Sequence, residues 1–299
     1  MNIVERAGKQ LGSRPTKSLV EAAAEQLATT ERRLSPAHAV PRQDGEQTVV
    51  GARRETQRQV MLDFDQLRRK GFALPGDETA LTEELRLIKR PLLSAARERT
   101  EGRADGANLI MVTSAYPNEG KTFFATNLAI SVACERDTHV LLVDGDIVNP
   151  SIPGVLGFDA DTGMIDLLAD PSIDMADILI RTNIPNLSIL PAGRFRPGAS
   201  ELLASSRMAR LADEISTRYP DRVVIFDSAP VLARSEPTVL SRYVGQVVLV
   251  VEAERTSRAV IGEVTAMLGP NKVTGVVLNK MQPVPMQGNF GYYYGYRSR

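Results

Sequence analysis

The chain has no tryptophan, one cysteine and two histidines among its 299 residues, and aromatic side chains make up only 5% of it. A lone cysteine, Cys134, forms no internal disulfide, so no disulfide framework supports this fold. Its place in an apolar-periodic stretch predicts a small core residue. Neither His38 nor His139 has a ligand partner at useful spacing, which argues against a histidine-based metal centre. Excess charge is missing too: 36 Lys and Arg balance 36 Asp and Glu, and no global field draws the chain onto nucleic acid or anionic lipid. No nucleic-acid partner is expected. No run approaches the roughly 18 to 20 apolar residues that cross a bilayer, and the N-terminal MNIVERAGKQLG lacks a signal-peptide core. These absences predict a soluble, cytoplasmic protein. Single cores stop growing near about 250 to 300 residues, so one large domain with attachments is expected.

Residues 1–79 are rich in Arg, Glu, Gln and Ala and read as an N-terminal extension. Within it, SLVEAAAEQLATTERRL over 18–34 spaces Leu19, Ala22, Ala23, Leu27 and Leu34 as one amphipathic helix, with Ser18 available as N-cap. Residues 35–58 are polar and carry Pro and Gly, and read as a linker. From Leu81 a helical pattern returns in LTEELRLIKRPLLSAA, with Leu81, Leu85, Ile88, Leu92 and Leu93 on one side. After it, short β-branched runs alternate with helical segments: LIMVTSA, FFATNLAISVA, VLLVD, GMIDLLAD, LSILPAG, ELLASSRMARLADEIS, RVVIFDSAP, VVLVVEA and VTGVVLNK. This beat predicts an α/β domain over 80–283, a mostly parallel sheet sandwiched by helices, and a strand-loop-helix closing on Gly120-Lys121-Thr122 makes it the P-loop NTPase type. Ligands in such folds bind beyond the carboxyl ends of the strands.

Three motifs sit at those ends. LIMVTSAYPNEGKTFFATNLA runs strand, loop, helix, and its loop closes on Gly120-Lys121-Thr122. In a P-loop the backbone amides of the loop and helix start, here Asn118 to Phe123, cradle phosphates; a lysine reaches the outer oxygens and the next hydroxyl coordinates magnesium. Lys121 and Thr122 fill those roles, with Asn118, Glu119, Gly120 and Phe123 beside them; the generic pattern would want glycine where Ala115 stands. The second motif is Asp144-Gly145-Asp146, paired acids that suit a divalent ion and a hydroxyl nucleophile. Asp146 is assigned to metal and Asp144 to the base; capping of the next turn is the structural alternative for either. The third is RVVIFDSAP, whose Asp227 ends an apolar strand, where a buried charge needs a partner such as magnesium. Near the domain's end GVVLNK places Asn279 and Lys280 at a strand terminus, where related P-loop folds put groups that contact adenine. The cofactors implied are ATP and Mg2+.

With these motifs in this order, residues 80–283 resemble the bacterial tyrosine kinases, whose domain carries a P-loop, a DxD-type Walker A′ and a Walker B. SAYPNEGKT is similar to that family's loop, which tolerates a non-glycine at Ala115 but usually has glycine at Asn118. Its A′ motif usually continues with arginine, where this chain has Val148 and Asn149. The tail at 284–299 fits as well: GNFGYYYGYRSR places Tyr292, Tyr293, Tyr294 and Tyr296 together, out of seven tyrosines in all. Such a cluster in a Gly-rich polar segment has no core to pack into; phospho-acceptors or an interaction tail would explain it. Glu83, Arg86 and Lys89 are similar to the family's ring-assembly motif, with a solvated helix face as the plain reading.

The resemblance implies a cytoplasmic autokinase in which Lys121, Asp144, Asp146 and Asp227 carry catalysis and the tail tyrosines accept phosphate. It also implies homo-oligomers, a transmembrane activator of the chain-length-determinant type at the inner face of the plasma membrane, a cognate tyrosine phosphatase, and a role in exopolysaccharide export of the exosortase-linked kind. Two other readings share the motifs: a partitioning-type switch ATPase, disfavoured because Ser114 to Glu119 contains no lysine, and an ATP-binding pseudokinase, motivated by Val148 and Asn149.

Overall fold

In a computed structural model, residues 58–97, 106–218, 221–269 and 272–282 are described. The expected helix at 18–34, nearly all of the 35–58 linker, His38 and the tyrosine-rich tail lie outside them.

Eight strands form one sheet: β1 Gln59–Val60, β2 Leu109–Ser114, β3 His139–Asp144, β4 Ile180–Thr182, β5 Leu187–Leu190, β6 Arg222–Asp227, β7 Gln246–Glu252 and β8 Val273–Asn279. Their order is β1-β4-β5-β3-β6-β2-β7-β8, and every pairing is parallel except β4 with β5. Six of the strands are the apolar runs recognised in the sequence. Alternation along each strand explains the layering. Ile110, Val112, Leu142, Ile225 and Val250 point into one apolar cluster, whereas Leu109, Met111, Leu141, Phe226 and Val251 point into another. Both faces are covered, so β2 and the inner length of β3, β6 and β7 are buried throughout, as a central parallel sheet requires. At the β8 edge the pattern relaxes, leaving Val276 and Leu278 half exposed.

Four sequence expectations need correction. The domain begins before residue 80. β1 pairs with β4, helix Phe64–Arg69 is capped by Asp63, which accepts from the Gln66 amide at 2.9 Å, and Leu62, Leu67, Phe72 and Leu74 are buried in the first cluster. Asn127 and Asn183 tie this segment down: Asn127 Oδ1 accepts from Ala73 N at 2.8 Å, and Asn183 exchanges bonds with both backbone groups of Leu62 at 2.9 and 3.1 Å. The stretch ELLASSRMARLADEIS is two helices, Ala199–Leu203 and Ser206–Thr217, because Ser205 caps the second one through Met208 N. β4 had no counterpart in the sequence reading. Cys134 is the exposed C-cap of helix Lys121–Ala133, not a core residue.

Helix Ala80–Arg97 buries Leu85, Leu92 and Leu93 as its spacing predicts. Among the described residues no helix is long and apolar enough to cross a membrane.

Candidate functional site

The sheet order assembles the site. β3, β6 and β2 are neighbours, so the loops after all three open at the same edge, and a cavity of about 650 Å³ lies between them. The β2 loop contributes Asn118, Gly120, Lys121 and Thr122 to its wall; the β3 loop contributes Asp146, Asn149 and Ser151; the β6 loop contributes Pro230, Ala233 and Arg234. The register sets Asp144 directly beside Asp227 on adjacent parallel strands, which brings two motifs 83 positions apart into one cluster.

The β2 loop has the backbone a phosphate cradle needs. Asn118 and Gly120 both take positive φ, 66° and 97°. Asparagine tolerates the left-handed region better than most residues, so Asn118 fills a position suited to glycine. Gly120 is fixed by space as well, since a Cβ there would fall 2.1 Å from Asn279 Nδ2. Ala115 is fully buried and its carbonyl accepts from Leu232 N at 3.2 Å; its methyl belongs to the core. Helix Lys121–Ala133 then starts without a side-chain cap, leaving first-turn amides and the positive end of the helix dipole toward the cavity.

Thr122, Lys121, Asp146 and Asp227 come together as expected. Thr122 Oγ1 donates to Asp227 Oδ2 at 2.6 Å, and Lys121 Nζ stands 3.3 Å from Asp146 Oδ2. Gly145 passes so close to β6 that a Cβ would lie 2.9 Å from the Asp227 carbonyl oxygen, and its amide donates to that oxygen at 2.7 Å. A glycine between the two acids is therefore a packing requirement. Phe123 half-lines the cavity and packs on Phe72, ring centroids 4.9 Å apart, which joins the segment before residue 80 to the site.

Asp144 stands differently from its assignment as base. It is fully buried, it does not line the cavity, and its Oδ2 accepts from the Ser151 and Ile152 amides at 3.0 Å each. In this arrangement it shapes the loop that presents Asp146, which is the acid on the wall. Asn279 and Glu119 likewise support rather than line. Asn279 Nδ2 donates to Glu119 O at 2.8 Å, and the buried Glu119 carboxylate accepts from Tyr116 N at 2.7 Å, Glu252 N at 3.3 Å and the Thr256 hydroxyl. Lys280 Nζ reaches Asn118 O at 2.7 Å. The loop is thus tied to the ends of β7 and β8. Val148 packs into the second apolar cluster and carries no charge to the site.

The acid cluster fits a cation. Burial, then the neighbouring Asp227 charge, pushes Asp144 up to about 7; burial pushes Asp227 up to about 6 against the opposing pull of Lys121 and Thr122. Asp144 Oδ1 and Asp227 Oδ1 are buried without a hydrogen-bond partner. Among the described residues no group of three or more His, Cys, Asp or Glu forms a self-sufficient metal cage. Magnesium sites on phosphate-binding loops need none, since one or two carboxylates, a hydroxyl, waters and substrate phosphates complete the shell. Thr122, Asp146 and Asp227 would hold that ion.

The assembly motif is partly used within the fold. Glu83 pairs with Arg86 on its own helix, while the buried Lys89 donates to Ser131 O at 2.7 Å and pairs with Glu135 at 2.7 Å. Asn149, Ser151, Pro230 and Arg234 also line the cavity, and no motif in the sequence marks them as site residues. A cation seven positions after the strand-ending Asp227 was the signal available for the last of them.

No family model matches the chain. It is 31% identical to the kinase domain of VpsO, covering 100% of that chain and 68% of this one with a TM-score of 0.55. The chimerical protein CapA2B2 is 26% identical, with 94% of that chain and 76% of this one covered at a TM-score of 0.62. The tyrosine-protein kinase YwqD of Bacillus subtilis is 28% identical over 229 residues, 76% of this chain and 92% of the relative. EpsB of Ralstonia nicotianae is 34% identical over 216 residues, 71% of this chain, and this chain spans only 27% of that protein's length. Identity of 31% along the whole of the VpsO kinase domain, on a shared fold whose cavity edge here carries Lys121, Thr122 and Asp146, places this chain in the bacterial tyrosine kinase family.

Proposed function

We propose that the chain is an ATP-dependent protein-tyrosine autokinase that modifies Tyr292, Tyr293, Tyr294 and Tyr296 of its own tail. The observation that carries the reading is the meeting of Lys121, Thr122 and Asp146 at the wall of one cavity, with the buried Asp227 directly behind Thr122. The loop amides and Lys121 bind the phosphate chain, and Lys121 leaves Asp146 for the incoming anion. Thr122, Asp146 and Asp227 would hold magnesium, which would supply positive charge to the transferring phosphate. Asp146 is the wall carboxylate that an entering tyrosine hydroxyl meets and to which it gives its proton; Asp144 fixes that carboxylate's loop. Transfer of this kind depends on positioning and charge more than on a strong base.

Kinship supports a place in exopolysaccharide assembly beside a transmembrane chain-length-determinant activator, with a tyrosine phosphatase reversing the modification and self-assembly bringing one tail to another subunit's cavity. Incubating the purified protein with ATP and magnesium, followed by intact mass and peptide mapping, tests the core of it. Phosphotyrosine confined to the tail, and absent from Lys121→Met and from a chain ended after Gln287, is the expected result. ADP release with no gain in protein mass would refute the kinase and favour a switch ATPase; nucleotide binding without turnover would favour a pseudokinase.

A further inference from the structure

We propose that Arg234 binds the terminal phosphate of the nucleotide and is the second phosphate-contacting cation of this site, an inference that rests on the kinase reading above. The cavity wall carries two cations, Lys121 and Arg234, and one of them is occupied by Asp146 at 3.3 Å. Arg234 is exposed at the cavity and makes no side-chain hydrogen bond or ion pair among the described residues. The β3 loop offers no cation of its own there, since its wall residues are Asp146, Asn149 and Ser151. A triphosphate brings about four negative charges, and guanidinium groups suit phosphate through paired N–H donors.

The backbone delivers this side chain to a fixed place. Beyond β6 the chain continues alongside β2: Ser228 N donates to Val112 O at 3.0 Å, Val231 N to Ser114 O at 2.8 Å and Leu232 N to Ala115 O at 3.2 Å. The amides of Ala233 and Arg234 then both donate to Pro230 O at 3.1 Å, closing a tight turn. The segment bearing Arg234 is therefore stapled to the strand that feeds the phosphate loop. Because β6 lies between β2 and β3, the turn emerges between the loop that cradles the phosphates and the loop that carries Asp146. The proposal sets the outermost phosphate, the one transferred, at this position, beside Lys121 and Asp146 on the same cavity wall.

The test uses the full chain as wild type, Arg234→Ala and Arg234→Lys. Calorimetry with magnesium measures affinity for ADP and for a non-hydrolysable ATP analogue, and initial rates of tail phosphorylation give kcat and KM for ATP. Arg234→Ala should bind ADP within about 2-fold of wild type and lose about 10- to 100-fold in analogue affinity, in kcat, or in both, with Arg234→Lys between the two. Unchanged analogue affinity and kcat in Arg234→Ala, or equal weakening of ADP and analogue, would overturn the assignment. A wild-type protein that binds neither nucleotide would instead sink the kinase reading itself. The side chain is exposed, so a melting temperature equal to wild type should confirm that the variant folds, and Arg234→Lys decides the matter should it not.

Discussion

Replacing Asp144 by asparagine should reverse the pH dependence that this carboxyl imposes on the free protein. Its pKa moves from an ordinary 3.8 to about 7, chiefly through burial and then through the Asp227 charge. The folded state thus keeps a proton that the unfolded state has released between those values. Stability from this group is fully present below pH 3.8 and is lost as pH rises to about 7. The displacement is 7 − 3.8, about 3 pH units, or on the order of 4 kcal/mol at 1.36 kcal/mol per unit. Asparagine carries no charge at any pH and so removes the slope. It also leaves an amide nitrogen where Oδ1 is already without a partner, a cost of about 1 to 3 kcal/mol that does not vary with pH.

The two stability curves should therefore cross. Without nucleotide or magnesium, urea unfolding at pH 4.5 should find Asp144→Asn less stable than wild type, and at pH 8 equal or more stable. The difference between the proteins should change by about 2 to 4 kcal/mol over that range. Asp77, Asp170 and Glu252, whose carboxyls sit below their ordinary values, lose stability at acid pH in the opposite sense but equally in both proteins, and cancel. Parallel curves from pH 4.5 to 8 would refute the reasoning, because they would mean that Asp144 is not held protonated by its surroundings.

The same cluster should make magnesium with nucleotide raise the melting temperature more at pH 8 than at pH 5.5, since the carboxylates are then ionised and unrelieved; an equal rise at both would contradict it. Asn118→Gly should leave stability unchanged or raise it slightly, whereas Asn118→Ala should lose about 1 kcal/mol in urea unfolding, because φ is 66° there. Glu119→Ala should cost about 2 to 3 kcal/mol and raise KM for ATP several-fold, since three donors lose a buried acceptor; wild-type values for both would show that the loop holds its shape unaided. Asp146→Asn should lower kcat for tail phosphorylation at least about 10-fold and more than Asp144→Asn does, and the reverse order would return the base role to Asp144.

The parts of this fold that can be read from the sequence are those whose signal is local. Six buried strands announce themselves as apolar runs, and the phosphate loop by a strand followed by Gly120-Lys121-Thr122. What escaped depends on partners far along the chain. β1 is two residues long and exists through β4, itself three residues; Leu62 is held by Asn183, 121 positions away. Its only local cue was Asp63 ahead of FDQL, an N-cap pattern inside an otherwise charged stretch.

The site divides along the same line. Residue types pointed to Lys121, Thr122, Asp146 and Asp227, which the fold brings together, because their chemistry and their strand-end positions are both visible in one dimension. Which of two acids faces the cavity was not visible, because it depends on whether the Ser151 and Ile152 amides turn back onto Asp144. Asn279 was placed at the right edge of the sheet, yet a strand-end asparagine serves a ligand or a neighbouring loop with equal ease, and only the 160-residue contact with Glu119 O distinguishes them. Glu119 shows the general reason. Inside the phosphate loop it reads as a ligand contact, but its carboxylate is turned into the protein to meet Glu252 and Thr256, more than 130 positions downstream. A loop that must hold its amides ready for phosphate cannot use them to hold itself, so its rigidity has to come from side chains and strands elsewhere in the chain.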